Sequence, residues 1–291
     1  MRGIMNFLPK KFRSAVHKVR KDRKIQLLQF YGKLTYQKRM LPEFLIIGSQ
    51  RAGTTSLYSY LSTHPNIHRA ILKEVHFFDN NFHKGLDWYR GNFPLLTSKN
   101  GDRRIITGEA TPYYIFHPHA ARRIAEVFPS IKIIVLLRNP VDRAYSHYQH
   151  EVGLGVESLS FEEAIEKEEM RLDSELEKLY RDENYLSFNH QHFAYLSRGR
   201  YAEQLKHWSK FFPNEQILVL KSEDLFQSRQ EIFSKVLKFL DLPDWKLPKS
   251  RVHNQLQYLG MNPSTRDRLC AYFEPYNLEL NEYLSRDFGW L

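Results

Sequence analysis

The feature that most constrains the fold is the run Phe44-Leu45-Ile46-Ile47-Gly48-Ser49-Gln50-Arg51-Ala52-Gly53-Thr54-Thr55-Ser56-Leu57. Apolar residues, a glycine-bounded stretch and a hydroxyl-rich continuation read as a short strand, a tight loop and the opening of a helix. Such a turn aims backbone N–H groups and the positive end of a helix dipole at one point, which suits a phosphate. Gly48 and Gly53 keep the glycine spacing of an ATP-binding phosphate loop, but Thr54 stands where that motif needs lysine. The cation of the loop is Arg51, two residues ahead of the second glycine. The pattern favours a phosphorylated ligand other than ATP, although a turn of this kind can also be purely structural.

A second strand-to-helix junction narrows the reading. Ile131-Lys132-Ile133-Ile134-Val135-Leu136-Leu137 reads as a strand buried on both faces of a parallel sheet. Arg138-Asn139-Pro140 follows, with Pro140 suited to a first helical turn and Asn139 to the cap. Arg138 at the carboxyl end of the strand and Ser146 two turns into the helix can converge on a second phosphate. Arginine suits that role because its planar fork bonds phosphate in bidentate fashion. An arginine salt-bridged at the sheet edge is the plainer alternative.

Together the two segments resemble the sulfotransferases that use 3′-phosphoadenosine 5′-phosphosulfate (PAPS). Lys73-Glu74-Val75-His76-Phe77-Phe78-Asp79, His83 through Tyr89, Gly108-Glu109-Ala110-Thr111-Pro112-Tyr113-Tyr114 and Asp142 through His150 are similar to the glycan-modifying branch that includes heparan sulfate N- and 3-O-sulfotransferases. The likeness runs from about Pro42 to Phe288-Gly289-Trp290. It implies that backbone N–H groups of Ala52, Gly53, Thr54 and Thr55, with the threonine hydroxyls, hold the 5′-phosphosulfate. Arg51 would lie at the bridging oxygen, where most of the family carries lysine and tyrosylprotein sulfotransferases resemble this chain in carrying arginine. Arg138 and Ser146 would take the 3′-phosphate, with Tyr201, Arg251 and Asn254 as further donor contacts. Glu74 is implied as general base, with a surface glutamate paired to Lys73 as the plainer alternative, and His76 as its partner or as a donor to the leaving group. Glu109 and His150 are implied either as acceptor-cleft residues or, equally, as supports behind the cleft.

A carboxylate between Val75 and two phenylalanines is expected to be partly desolvated, with its pKa raised towards the working range. The reaction implied is in-line transfer of the sulfuryl group to a hydroxyl or amine of a polysaccharide or glycolipid, releasing 3′-phosphoadenosine 5′-phosphate (PAP), with no metal. Two other readings stay open. One is a non-catalytic nucleotide- or glycan-binding protein on the same fold. The other is a phosphate-loop kinase, opposed by Thr54 and by Arg138 where a magnesium-binding aspartate would stand.

The remaining pattern alternates strand and helix, which predicts an α/β fold: a single domain with a central, mostly parallel sheet flanked by helices and a P-loop-like strand–loop–helix. Strands are expected near Phe44–Ile47, Ile105–Gly108, Lys132–Leu137 and Gln216–Leu220. Residues 41–291 form the expected domain, with a charged helical insert over about 155–195. Residues 1–40 form a basic arm holding twelve Lys/Arg against one Asp, a balance of +11. The rest has thirty-one basic and thirty-two acidic residues, so the net charge of +10 belongs to the arm. Phe12, Val16 and Val19, then Leu27, Leu28, Tyr31 and Leu34, recur at helical spacing. A basic amphipathic helix of this kind can lie on an anionic membrane or pack on the domain. No nucleic-acid motif accompanies the charge. The single cysteine, Cys270, excludes an intramolecular disulfide and is expected to be a buried small hydrophobe. No apolar run reaches the ~20 residues of a membrane-spanning helix. The expectation is therefore a soluble cytoplasmic enzyme of bacterial type, peripheral at the inner membrane surface.

Overall fold

A computed structural model describes residue 23 and residues 25–96, 104–248 and 260–290. Arg251, Asn254 and most of the basic arm lie outside the described residues. Five strands, β1 (Phe44–Gly48), β2 (Ile67–Arg69), β3 (Ile106–Ala110), β4 (Lys132–Leu137) and β5 (Ile217–Lys221), form one sheet in the order β2-β3-β1-β4-β5. Every neighbouring pair is parallel. The principal helices are α1 (Thr54–Leu61), α2 (Ala120–Val127), α3 (Pro140–Leu154), α4 (Tyr201–Trp208), α5 (Arg229–Phe239) and α6 (Pro263–Leu284).

Parallel strands need crossover connections, and these place helices on both faces. Side chains of one strand alternate between the two layers. Leu45 and Ile47 of β1 join Ile133, Val135 and Leu137 of β4 in a core covered by α2 and α4. Phe44 and Ile46 join Ile134 and Leu136 in the opposite core, covered by α1 and α5. The chain leaving β1 thus passes to one face, and the chain between β4 and β5 returns over the other. The loops after these adjacent strands part at the carboxyl edge, which opens the crevice where open α/β sheets bind ligands.

Local chemistry fixes the element that follows β4. Asn139 accepts from the N–H groups of Val141 (3.0 Å) and Asp142 (3.3 Å), and Pro140 occupies the first turn of α3. Four short helices, Phe161–Glu166, Glu168–Leu172, Glu175–Arg181 and Phe188–His192, form a side layer, opened by a Ser160–Glu163 capping box. β2 is absent from the sequence expectation because three residues with only Ile67 buried carry too little pattern. Cys270 is exposed, contrary to expectation. The buried stripe of α6 runs through Thr265, Leu269, Phe273, Asn277 and Leu280, and Cys270 lies one position off it.

Candidate active site

The loop after β1 is tied to β4. Ser49 donates its N–H and hydroxyl to the Leu136 carbonyl at 2.7 and 2.8 Å. The Ala52 N–H closes a turn on the Ser49 carbonyl (3.2 Å), and the Ala52 carbonyl accepts from the Ser222 hydroxyl at 2.7 Å. Gly53 caps α1 at φ 94° with no side-chain cap, so the orphan N–H groups of the first helical turn face the loop. A side chain there would be strained, and its Cβ would approach Phe226 Cζ to 3.1 Å. Thr54 is buried and Thr55 is exposed. Ala52 differs from expectation, because its N–H is already spent within the turn.

Residues far apart in sequence meet here. Arg51 donates from Nε to the Ser146 hydroxyl at 3.1 Å, and Arg138 donates to the Arg51 carbonyl at 3.1 Å. Tyr201 is buried and donates its phenol to the Arg138 carbonyl at 2.8 Å. It supports the arginine from below, which departs from the expected donor contact.

Two more arginines, to which the sequence reading gave no role, sit beneath this junction. Arg143 is fully buried; it donates to the Tyr195 carbonyl, while its Nε and one terminal nitrogen have no partner. Arg198 is buried under Tyr113 and Phe116, with its guanidinium carbon 4.9 and 5.0 Å from the ring centres. It donates to Gln50 Oε1 (2.5 Å) and to the His190 and Gln191 carbonyls (3.0 and 2.8 Å). Burial pulls its pKa down to about 10, which leaves it charged at neutral pH. Among the described residues, Arg138, Arg143 and Arg198 form no ion pair with a carboxylate. Glu168 acts on Arg143 and Arg198, and Glu151 on Arg198, without a direct pair, so buried positive charge here still favours a nearby anion.

Across the crevice, the segment 73–79 carries the second set of groups. Lys73 and Glu74 are ion-paired, His76 Nε2 lies 3.6 Å from Glu74, and His76 Nδ1 lies 2.6 Å from the buried Asp79 carboxylate. Glu74 and His76 adopt the left-handed backbone region (φ 66° and 53°), as does Arg51 (φ 70°). Half of the six non-glycine residues with positive φ among those described are therefore the three expected catalytic residues. Such backbone strain concentrates at functional sites where surrounding structure over-determines it.

Glu109 supplies that over-determination. It is fully buried and accepts from Tyr89 (2.7 Å), Tyr114 (3.0 Å), Thr111 (2.8 Å) and the Val75 N–H (3.2 Å). Tyr114 in turn accepts from the Phe77 N–H at 2.9 Å. Of the two roles expected for Glu109, the geometry fits the support: its oxygens are occupied, and it fixes the loop that carries Glu74 and His76. His150 is partly buried, and burial and then the Arg51 charge lower its pKa, with Glu151 and Glu74 opposing.

The Glu74 pKa also departs from expectation. Burial raises it, but His76 and the Lys73 ammonium outweigh that and hold it at about 2. Burial is the largest single influence, and only His76 and Lys73 acting together overcome it. For His76, burial is overcome by Asp79 and Glu74, which push its pKa up to about 10. At neutral pH the wall carries a carboxylate beside an imidazolium.

A parallel α/β sheet with a cluster of arginines facing a carboxylate–imidazole loop is the architecture of a group-transfer enzyme. The chain belongs to the sulfotransferase family: the model of the sulfotransferase domain matches residues 41–270. It is 28% identical to the membrane-associated sulfotransferase kil1 of Dictyostelium discoideum, over 96% of this chain and 72% of that one. It is 31% identical to human bifunctional heparan sulfate N-deacetylase/N-sulfotransferase 3, over 84% of this chain but only 30% of that protein's length. A solved sulfotransferase from Alicyclobacillus acidocaldarius superposes with a TM-score of 0.68 at 31% identity, covering 86% of this chain and 98% of that chain. Among the described residues, no helix is long and apolar enough to cross a membrane.

Proposed function

We propose that this sulfotransferase uses PAPS as donor and sulfates a hydroxyl or amine of a carbohydrate, on a polysaccharide or glycolipid. The observation that carries the donor assignment is the Arg51–Ser146–Arg138 junction beside two buried arginines that keep unpartnered nitrogens and form no carboxylate pair among the described residues. Such an arrangement suits a ligand with two separated phosphate groups better than one with a single polyphosphate tail. The carbohydrate acceptor rests on the likeness to heparan sulfate sulfotransferases. The basic arm supports work at an anionic membrane, such as the cytoplasmic leaflet.

In this reading the acceptor O–S or N–S bond forms as the bond from sulfur to the bridging phosphate oxygen breaks. The orphan N–H groups at Gly53–Thr55 and the Arg51 guanidinium stabilise charge developing on that oxygen. Arg51 stays protonated throughout, so it acts by charge and not as an acid. Arg138 and Ser146 orient the donor through its 3′-phosphate. Glu74 receives the acceptor proton, and a carboxylate with so low a resting pKa becomes an effective base once Lys73 is drawn away. Imidazolium His76, held by Asp79, keeps the carboxylate aimed.

Calorimetric titration tests the donor assignment. PAP should bind and ATP should not, and Arg138→Ala should weaken PAP binding. Preference for ATP, or no binding of either ligand, refutes it. Arg51→Lys should preserve transfer, and transfer by neither wild type nor this variant across a broad carbohydrate panel would favour a binding protein.

A further inference from the structure

The helical segment 25–35 carries an apolar face that the rest of the described protein does not cover. Leu27, Phe30, Tyr31 and Leu34 are 69%, 64%, 49% and 68% exposed. Their i, i+3, i+4, i+7 spacing gathers them into a stripe about 100° wide. The opposite face is fixed to the domain. Gly32 is buried so closely against Gly91 that a Cβ would come within 2.2 Å of the Gly91 carbonyl oxygen. Arg39 donates to the Phe93 carbonyl at 2.5 Å, and Arg90 donates to the Arg39 carbonyl at 2.7 Å. Leu96, 60% exposed, bonds through its N–H to the Lys38 carbonyl at 2.8 Å beside the end of the segment. The helix is thus seated through its small residue while its large apolar residues point outward.

We infer that this stripe is a membrane-insertion element, whose partner is the interface of an anionic lipid bilayer. Charge complementarity selects that occupant. The arm holds +11 within forty residues, and the exposed Lys33 and Lys38 flank the stripe. An apolar face framed by cations is the pattern of helices that lie in the headgroup boundary. Each near-surface Lys or Arg strengthens attraction to anionic lipid roughly fivefold. The inference rests on the arm's proposed role and adds the side chains that enter the lipid. It also joins docking to chemistry. The segment that seats the helix continues into Tyr89, which stacks on Phe77 at 4.4 Å within the loop carrying Glu74 and His76. A docked helix therefore holds the reaction centre at a fixed position relative to the bilayer, as a membrane-linked acceptor would require.

The test is sedimentation of the full chain with vesicles of phosphatidylglycerol and phosphatidylcholine, and with phosphatidylcholine alone. Wild type should bind the anionic vesicles. Combined Leu27→Ser, Phe30→Ser and Leu34→Ser should weaken that binding by roughly a hundredfold or more, with PAP affinity intact. Should the triple variant fold poorly, the Phe30→Trp variant decides: its indole emission should shift blue on vesicles and be quenched by lipids brominated along the acyl chain. Wild-type affinity in the triple serine variant, or an unquenched indole on bound vesicles, overturns the inference and leaves residues 1–22 or a second copy of the chain as the cover. Combined Lys10→Glu, Lys11→Glu and Arg13→Glu separates the two claims. If charge reversal abolishes binding while the serine variant binds normally, the arm's electrostatic role stands and insertion of the stripe fails. If wild type binds no vesicle, both fail.

Discussion

The two walls of the crevice handle charge in opposite ways. On the donor wall, Arg138, Arg143 and Arg198 converge with Arg51 without forming a carboxylate pair of their own. On the acceptor wall, Lys73, Glu74, His76 and Asp79 alternate in sign and neutralise one another within a few ångströms. The first wall lacks a direct carboxylate pair, so an anionic ligand supplies one and should stabilise the protein when it binds. The second wall is electrostatically complete, and catalysis has to loosen it. Under the proposed function, affinity and reactivity should therefore separate, with donor binding assigned to the arginines and the chemical step to the loop.

Glu74→Gln tests that separation hardest. Removing a general base should lower the transfer rate by about 10²–10⁴-fold and leave PAP affinity within a factor of two. A parallel loss of PAP binding in calorimetry would mean that the two walls act as one unit. Glu109→Ala should be the next most damaging change, and it acts on the fold. It leaves Tyr89, Tyr114, Thr111 and the Val75 N–H without their acceptor, at a cost of about 3 kcal/mol or more, read by denaturant titration. Glu109→Gln keeps a side-chain carbonyl and should recover part of that stability. Equal destabilisation by both variants would show that the charge, and not the hydrogen bonding, holds the loop. Arg138→Ala should cost about 1.5–3 kcal/mol of PAP affinity, roughly 10- to 150-fold, with kcat nearly unchanged at saturating donor. A fall in kcat instead would move Arg138 onto the reaction coordinate.

The contrast between the walls also explains what the sequence made legible. β1, β4 and the turns after them were readable because an apolar strand ending in a glycine-bounded loop or Arg-Asn-Pro is a local signal. Convergence of Arg138 and Ser146 was expected from the strand-to-helix turn, but the bond from Arg51 to Ser146 depends on β1 and β4 being neighbours in the sheet, which local sequence does not state. Arg143 and Arg198 were not readable as part of the floor, since an arginine in a helix pattern looks solvent-exposed until tertiary packing buries it. Glu109 was left between two roles for a related reason: its motif marks importance, and only burial with four donors distinguishes a loop support from a cleft residue. The pKa of Glu74 failed on a balance of near neighbours. The phenylalanines argued for desolvation, but the backbone turns the carboxylate outward to Lys73 and His76.

That balance yields the most delicate prediction, a shift in pH dependence. The Glu74 pKa is depressed from 4.5 to about 2, so its contribution to stability is present above 4.5 and is lost as pH falls towards 2. The His76 pKa is raised from 6.5 to about 10, so its contribution is full below 6.5 and is lost as pH rises through 10. Between these limits the loop keeps its charge pattern, and the wild-type pH profile of kcat/KM should show no acid limb from Glu74 near the ordinary carboxylate range. Lys73→Met removes one of the two cations that hold the carboxylate down. Its acid limb should move upward towards that range, while the alkaline limb set by His76 stays in place. An unmoved acid limb would assign the depression to His76 alone, and Asp79→Asn would then be the informative change, because a weakened imidazolium should bring the alkaline limb down and release the carboxylate with it.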